Sequence, residues 1–515
     1  MAQKGMASMN VIFVTIDSLN RHFLRTYGQT VELEVDTPNL DRFAQKAAVF
    51  DNHYAGSLPC MPARREYFAG VQEFLWRPWG PMEPFDTPAA LAARQAGIVT
   101  QLVTDHFHYF QHGSSGYYED YQGFEFVRGH EYDAWKTSPK DPDQTLLRQI
   151  KAYQPHRLWF QNHAQYARNA APFREEEDFF APKVFSATAR WLEENRDWER
   201  WFLVVDSFDV HEPFHVPEPY ASMYTDEDPN DPELVNWPYY GRVDEGQSRL
   251  TARQVDFVRS QYAGKLTMVD RWFGRMLDEL DRLNLWDNTA VIVTTDHGHY
   301  LGDYGWMGKP FKAPLYDVLA RTPLFAWYPG GTRNGERVSA LTSAVDLYAT
   351  MLEAMGLEVL EGSHSRSLTP LLRGYTDHHR DWALYGYWGS TVNITDGRYT
   401  YLHPCREDLH AYCYSTMMMN PHGWFVPSKP RKDVEADRFL PYTDTPVWRY
   451  PDKSYNRHEG PLLFDTHEDP WQKANLADHD TGEEERMRGL LLAAMRQMKA
   501  PEEQYVRLGL GHRGG

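Results

Sequence analysis

What most constrains this chain is the recurrence of short, unbroken β-branched and aromatic runs, each stopping at a turn that carries Asp or His. Asn10-Val11-Ile12-Phe13-Val14-Thr15-Ile16 runs straight into Asp17-Ser18. Residues 97–104 lead into Asp105-His106-Phe107-His108, and residues 201–208 into Asp209-Val210-His211-Glu212. Residues 289–295 lead into Asp296-His297-Gly298, and 322–327 form one more such run. A run without polar alternation suits a strand buried on both faces, as in a sheet covered by helices. Helical patterns separate the runs: Thr37-Pro38 opens one with Pro at its first position, and others span 87–96, 175–200, 251–285 and 342–355. Strands alternating with helices predict an α/β fold with a doubly wound sheet. Ligands of such sheets bind beyond the carboxyl ends of the strands. Asp17, His211, Asp296 and His297 are therefore placed for chemistry, the lesser alternative for Asp17 being a turn or helix cap.

The second constraint is Ser57-Leu58-Pro59-Cys60-Met61-Pro62-Ala63-Arg64-Arg65-Glu66, which holds one of only 3 cysteines in the chain. Pro59 and Pro62 restrict the backbone on both sides of Cys60, and 63–70 reads as the start of a helix. A cysteine there would feel the positive end of the helix dipole with Arg64 and Arg65 nearby, an environment expected to favour an anion. Read alone, Cys60 is as easily a buried structural thiol. Cys405 and Cys413 could pair, but 3 cysteines build no disulfide framework.

Past about residue 374 the texture changes. Short alternating segments at 383–388, 391–395 and 399–403, with Asp396-Gly397 as a hairpin signal, predict a small antiparallel sheet, followed by a closing helix over 483–499. The expected division is 1–375 and 376–515. A net charge of −19 argues against nucleic acid or an anionic membrane as the main partner. The first apolar run is too short for a signal or a membrane span, which predicts a cytoplasmic protein.

Asp17, Asp296 and His297 make a plausible set of ligands for one divalent metal, suited to hydrolysis of a charged ester. Taken with the Cys60 turn, the resemblance becomes specific. Cys60-Met61-Pro62-Ala63-Arg64 fits the C-x-P-x-R signature of the type I sulfatases, within the alkaline phosphatase superfamily. The remaining order also resembles that family: Asp17, Thr37-Pro38-Asn39-Leu40, Cys60, Asp296-His297-Gly298, Leu301-Gly302-Asp303, Gly308-Lys309, and Leu463-Phe464-Asp465 with Asp469-Pro470 and Asn475-Leu476. The resemblance spans nearly the whole chain. It implies an alkaline-phosphatase-like mixed sheet in a catalytic domain over 1–375, with a smaller C-terminal subdomain. It also implies that Cys60 is oxidised to formylglycine by a maturation enzyme. One hydroxyl of the aldehyde hydrate would attack sulfur, and the other would then collapse to the aldehyde and expel sulfate. By the same resemblance Arg64 holds the diol, and Asp17, Asp296, His297 and residue 60 hold the metal. Lys309 binds sulfate oxygens, and His211 serves as general acid or donor at the leaving group.

The chain departs from the family in three places. Ser18 stands where many sulfatases carry a second acid, and His297 where many have Asn. An imidazole in place of a carboxylate lowers the preference for Ca²⁺, the metal the resemblance implies, and raises it for Mn²⁺ or a similar ion. These two changes also resemble phosphonate monoester hydrolases and phosphodiesterases of the superfamily, the nearest rival reading. Third, Thr104-Asp105-His106-Phe107-His108 replaces a Gly-Lys-Trp-His pattern. His106 is the expected substitute contact for the substrate oxyanion, with His108 behind it. A catalytically silent protein of the same fold is a further alternative. A thiol phosphatase is disfavoured, because the sixth residue after Cys60 is Glu66 and not Arg. The substrate is expected to be a small or medium soluble sulfate ester, its pocket shaped by 112–174 and 417–425. A homo-oligomer is compatible with the sequence.

Overall fold

A computed structural model describes residues 9–139, 142–150, 164–419 and 431–511. Its centre is an eight-stranded sheet in the order Arg337–Ser343, Ala48–Tyr54, Leu324–Trp327, Thr289–Thr294, Asn10–Ile16, Trp201–Ser207, Val99–Thr104, Gly123–Phe126. Asn10–Ile16 is the central strand, parallel to both neighbours, and all seven of its residues are buried. Leu324–Trp327 is antiparallel to both of its neighbours, so the sheet is mixed.

The unbroken apolar runs follow from packing on both faces. Ile12, Val14 and Ile16 join a core shared with Phe185 and Leu192 of the helix Phe180–Asn195 and with Leu266 and Phe273 of the 31-residue helix Ala252–Arg282. Val11 and Phe13 face the other way, into a core with Tyr67 and Phe68 of the helix Cys60–Ala69 and Leu347 of the helix Asp346–Ala354. Each fully buried aliphatic or aromatic side chain contributes about 1.5–3 kcal/mol.

The alternation of strands and helices holds, but the helix expected over 175–200 divides. A short 3-10 turn, Glu176–Asp178, precedes the helix Phe180–Asn195. The Asp178 carboxylate accepts from the backbone N–H of both Arg174 and Glu175, which closes a separate turn before Pro182 enters the first turn of the helix. The helix at Cys60 also starts three residues before the expected Ala63, with Cys60 itself as its first residue.

A five-stranded sheet follows, in the order Leu462–Asp465, Tyr399–His403, Val392–Thr395, Ala383–Tyr387, Ser57–Leu58. Its last member comes from the Cys60 turn: Ser57 and Leu58 pair in parallel with Gly386 and Tyr387. This C-terminal sheet is thus joined strand to strand to the segment that presents Cys60. The helix Thr481–Gln497 buries Met487, Leu491, Ala494 and Met495 in the same core as Leu384 and Ile394 of that sheet. Cys405 and Cys413 are free thiols. Among the described residues no helix is long and apolar enough to cross a membrane.

Candidate active site

The carboxyl ends of Asn10–Ile16, Trp201–Ser207 and Thr289–Thr294 converge with the N-terminus of Cys60–Ala69 on one buried guanidinium. Arg64 donates from Nε and Nη2 to Asp206 at 2.8 Å each, from Nη2 to Asp17 at 2.9 Å, and from Nη1 to Asp296 at 2.8 Å. Nη1 also donates to the Cys60 carbonyl oxygen at 3.1 Å. The guanidinium and all three carboxylates are fully buried. Arg65, the next residue, faces away, to Glu73 at 2.6 Å and Asp86 at 2.7 Å.

Asp17, Cys60, Asp296 and His297 each place a ligand atom within 4.8 Å of all the others. Cys60 Sγ lies 3.3 Å from His297 Nε2, which is 3.4 Å from Asp296 Oδ2. His297 Nδ1 donates to the Gly298 carbonyl at 2.8 Å, so the Nε2 lone pair faces the cluster. Burial holds this imidazole neutral, at about 4, against the pull of Asp296. Gly298 cannot be replaced, because a Cβ there would stand 1.9 Å from the Val318 carbonyl oxygen. Burial and then Asp296 push the Asp17 carboxyl well above the usual carboxylate range. Two acids and a neutral imidazole, short of positive charge, fit a divalent cation.

Ser18, at the sequence departure, takes a positive φ of 59°. Its hydroxyl donates to Asp17 Oδ1 at 2.8 Å and accepts from Lys309 Nζ at 3.3 Å, while its N–H donates to Asp296 Oδ1 at 3.1 Å. Its small side chain thus links both acids to Lys309. Gly308 has φ +79° and lies against Tyr240, where a Cβ would stand 2.2 Å from the ring. That close approach delivers Lys309 to the site. Despite burial, Glu212 and the other neighbouring acids hold the Lys309 ammonium above its ordinary value.

The expected thiolate environment at Cys60 is not what the fold builds. Burial first, then Asp17, push the thiol well above its ordinary value, outweighing Lys309 and Arg64. The arginine charges counted on from the sequence are held by Asp206, Glu73 and Asp86. An unmodified Cys60 here is a poor nucleophile.

Cys60 opens onto a cavity of about 630 Å³, lined also by Trp79, His108, Glu131, His211 and Lys309. His211 Nδ1 donates to the Glu212 carbonyl at 2.8 Å, which leaves Nε2 for a substrate. Burial, then Lys309, hold the ring well below its ordinary value, so without substrate it is neutral and Nε2 accepts. The order expected for His106 and His108 is reversed. His108 lines the cavity, its ring edge-on to Trp79 at 4.9 Å, while His106 lies behind, its Nε2 3.6 Å from Asp17. His106 caps a short 3-10 turn, Phe107–Phe110, which carries His108 forward.

Sequence reasoning missed Asp206, Glu131 and Glu212. Asp206 left a signal, as the only charge inside the apolar run 201–208. It also accepts from Tyr109 Oη. Glu212 sits beside His211, whereas Glu131 falls in the weakly patterned stretch 112–174 and left none. Of the segments expected to shape the pocket, 112–174 contributes Glu131 and Tyr132 to the cavity wall. Residues 140–141, 151–163 and 420–425 of those two segments lie outside the described residues.

A family model described as Sulfatase matches residues 9–357. The multifunctional alkaline phosphatase superfamily protein PehA of Trinickia caryophylli is 25% identical over 426 residues, covering 71% of this chain and 77% of that protein. An arylsulfatase of Clostridium perfringens is 20% identical over 403 residues, covering 72% and 80%. Among solved structures, a phosphonate monoester hydrolase of Agrobacterium radiobacter superposes with a TM-score of 0.64 at 20% identity, covering 95% of this chain and 96% of that one. The 2-O GAG sulfatase BT1596 gives 0.62 at 16% identity, covering 96% and 93%. Both bear out the expected fold.

Proposed function

We propose, from the premise that the chain belongs to the sulfatase family and is a hydrolase acting on sulfuric ester bonds, that it cleaves a small soluble sulfate ester with formylglycine made from Cys60 as nucleophile. The observation that carries this reading is the convergence of Asp17, Cys60, Asp296 and His297 on one point beside a cavity holding Lys309 and His211. The raised thiol of Cys60 adds support, since it disfavours direct attack by sulfur of the side chain.

Asp17, Asp296 and His297, with residue 60, would hold one divalent metal. Bound there, it would lower the pKa of an oxygen nucleophile and offset charge on the sulfate. Arg64 fixes the Cys60 backbone through its carbonyl and aligns Asp17 and Asp296. Lys309 donates to sulfate oxygens and stabilises charge developing on the bridging oxygen. His211 Nε2, once protonated under the negative charge of a bound substrate, gives that proton to the leaving alcohol, while Nδ1–H stays on the Glu212 carbonyl. A sulfatase-maturing enzyme is the implied partner.

The rival reading is a phosphonate monoester or phosphodiester hydrolase with the same nucleophile, favoured by His297 beside Cys60 and by the Ser18 departure. Protein co-expressed with a maturation enzyme separates the two by kcat/KM on an aryl sulfate and on the matching aryl phosphonate monoester. A much larger value on the sulfate is expected, and a larger one on the phosphonate would overturn the assignment. Mass spectrometry of the Cys60 peptide checks the nucleophile: only intact thiol in an active preparation would refute it.

A further inference from the structure

One residue of the cavity wall stands in a backbone conformation that side chains seldom take. Glu131 has a left-handed φ of 42° and is 4% exposed. The turn around it is pinned from several sides. Asn169 Nδ2 donates to the Gly129 carbonyl at 3.1 Å and to the Asp133 carbonyl at 2.8 Å. The Asp133 carboxylate accepts from the Gly129 N–H at 2.7 Å and from Arg128 at 2.7 and 2.8 Å. Next to Glu131, His130 Nε2 lies 3.0 Å from Asp209 Oδ1. A strained residue persists only where its surroundings over-determine it, and such residues gather at functional sites.

The turn delivers the carboxyl of Glu131 between two histidines that line the cavity. Glu131 Oε1 lies 3.2 Å from His211 Nδ1, and Oε2 lies 3.5 Å from His108 Nε2. His211 Nδ1 donates to the Glu212 carbonyl at 2.8 Å, so it has no lone pair for a metal ion, and Oε1 is a second acceptor for the same proton. His108 Nδ1 donates to Gln111 Oε1 at 2.6 Å, so its Nε2 keeps a lone pair toward Oε2.

A carboxylic acid that keeps its proton matches both partners, because one oxygen accepts from His211 while the other presents its O–H to His108. Burial first, then Glu212, push the Glu131 carboxyl well above its ordinary value against the pull of Lys309, which holds it in that form. The His211 side is within hydrogen-bond reach, whereas the His108 side, at 3.5 Å, is a facing pair and not a bond. Phe208 stacks on the His211 ring at 4.2 Å. The Glu212 carbonyl and Glu131 then grip one edge of that ring between them, and Nε2 on the opposite edge is the atom proposed to hand a proton to the leaving alcohol.

We infer that Glu131 is a positioning residue for His211, aiming Nε2 at the leaving group of a substrate held in the cavity. This rests on the sulfatase reading above and on the role it gives His211. The test compares Glu131→Leu and Glu131→Gln with the native protein on propyl sulfate and on 4-nitrophenyl sulfate, each variant alone and combined with His211→Ala. Glu131→Leu should lower kcat/KM on propyl sulfate by about 10–100-fold, part of what an aligned general acid supplies. It should spare the aryl ester, whose leaving group needs no proton. Added to His211→Ala it should cost nothing more, since the orientation of the ring is immaterial once the ring is gone. Gln keeps the shape and still accepts and donates, so it should recover most of the loss. Equal losses on the two esters, a loss that persists in full without the His211 ring, or a Gln variant no better than Leu would overturn the inference. A second readout needs no turnover. The nitrogen-15 resonance of His211 Nδ1, identified by its absence in His211→Ala, should move in Glu131→Leu and return in Glu131→Gln, and a resonance that Leu leaves unmoved overturns the inference as well. If the matured protein cleaves no sulfate ester, or His211→Ala slows both esters alike, the earlier reading falls, and this resonance alone decides whether Glu131 orients the ring.

Discussion

Replacing Asp206 by Asn tests whether the site is built around Arg64. The change keeps the shape of the side chain and removes its charge. Two charge-assisted bonds at 2.8 Å become at best one neutral bond, because an amide nitrogen must face an N–H of the guanidinium. Breaking a fully buried ion pair costs about 3–5 kcal/mol. Asp17 and Asp296 remain on Arg64, so the low end, about 3 kcal/mol, is the expected loss. With about 2.1 cal/mol/K of unfolding entropy per residue over 515 residues, this lowers Tm by about 3 °C. A second effect separates this account from simple destabilisation. The Arg64 charge no longer shared with Asp206 falls on Asp17 and Asp296, which then hold a metal less tightly. Calorimetric melting should show the Tm loss, and titration of chelator-stripped protein with Mn²⁺ or Ca²⁺ should show a metal midpoint raised about tenfold, the effect of about 1.4 kcal/mol. A Tm within 1 °C of native together with an unchanged midpoint would refute the reasoning.

Lys309→Ala removes a buried ammonium from the cavity that Cys60 opens onto and, if the proposed role holds, should lower kcat/KM by about 10²–10³ on any sulfate ester; a loss under tenfold would take Lys309 out of the reaction. His211→Ala should slow alkyl sulfates far more than aryl sulfates of acidic phenols, since a good leaving group needs no proton; equal losses across a series of phenols and alcohols would count against its role. Glu66 gives a pH signature: burial, opposed by its bonds from Ser57, raises its carboxyl from 4.5 to about 8. The folded state then keeps a proton that the unfolded state loses, so this group costs stability increasingly from about pH 4.5 up to about 8. Glu66→Gln cannot ionise, and its Tm relative to native should rise steadily between pH 5 and 8; a difference independent of pH would show that Glu66 ionises normally.

The legible parts of this chain were those where one local pattern decides the outcome. Asn10–Ile16 emerged with the expected ends because a run buried on both faces admits no other arrangement. Asp17, Asp296 and His297 follow directly on such runs, so finding the strands also found the cluster that could hold a metal. The electrostatics were not legible, because they depend on which partners the fold brings to each charge. Arg64 and Arg65 look alike in the sequence, yet they point in different directions, to Asp206 and to Asp86. That pairing reversed the expectation for the Cys60 thiol. His106 and His108 exchanged roles for a similar reason, since a single 3-10 turn moves the second ring forward. Glu131 could not be found at all, as its segment carries no periodicity and only tertiary structure sets it beside His211.

The stretch from Ser57 to Glu66 joins the large sheet's site to the C-terminal sheet, which explains why so polar a segment is buried except at Pro59. Ser57 and Leu58 close the edge of the C-terminal sheet, and two residues later Cys60 begins a helix whose ten residues are all buried. The Ser57 hydroxyl accepts from the N–H of Glu73 and of Phe74, which draws the far end of that helix back onto its start. Tyr387, next to the pairing partner of Ser57, lines the cavity and donates to the Lys309 carbonyl at 3.3 Å. The C-terminal sheet therefore sets both the height of Cys60 above the carboxylates and the approach of Lys309 from the other side. A slip of two residues, the smallest that keeps every side chain on its own face of the sheet, would move residue 60 by about 6.6 Å, more than the 4.8 Å that gathers its cluster.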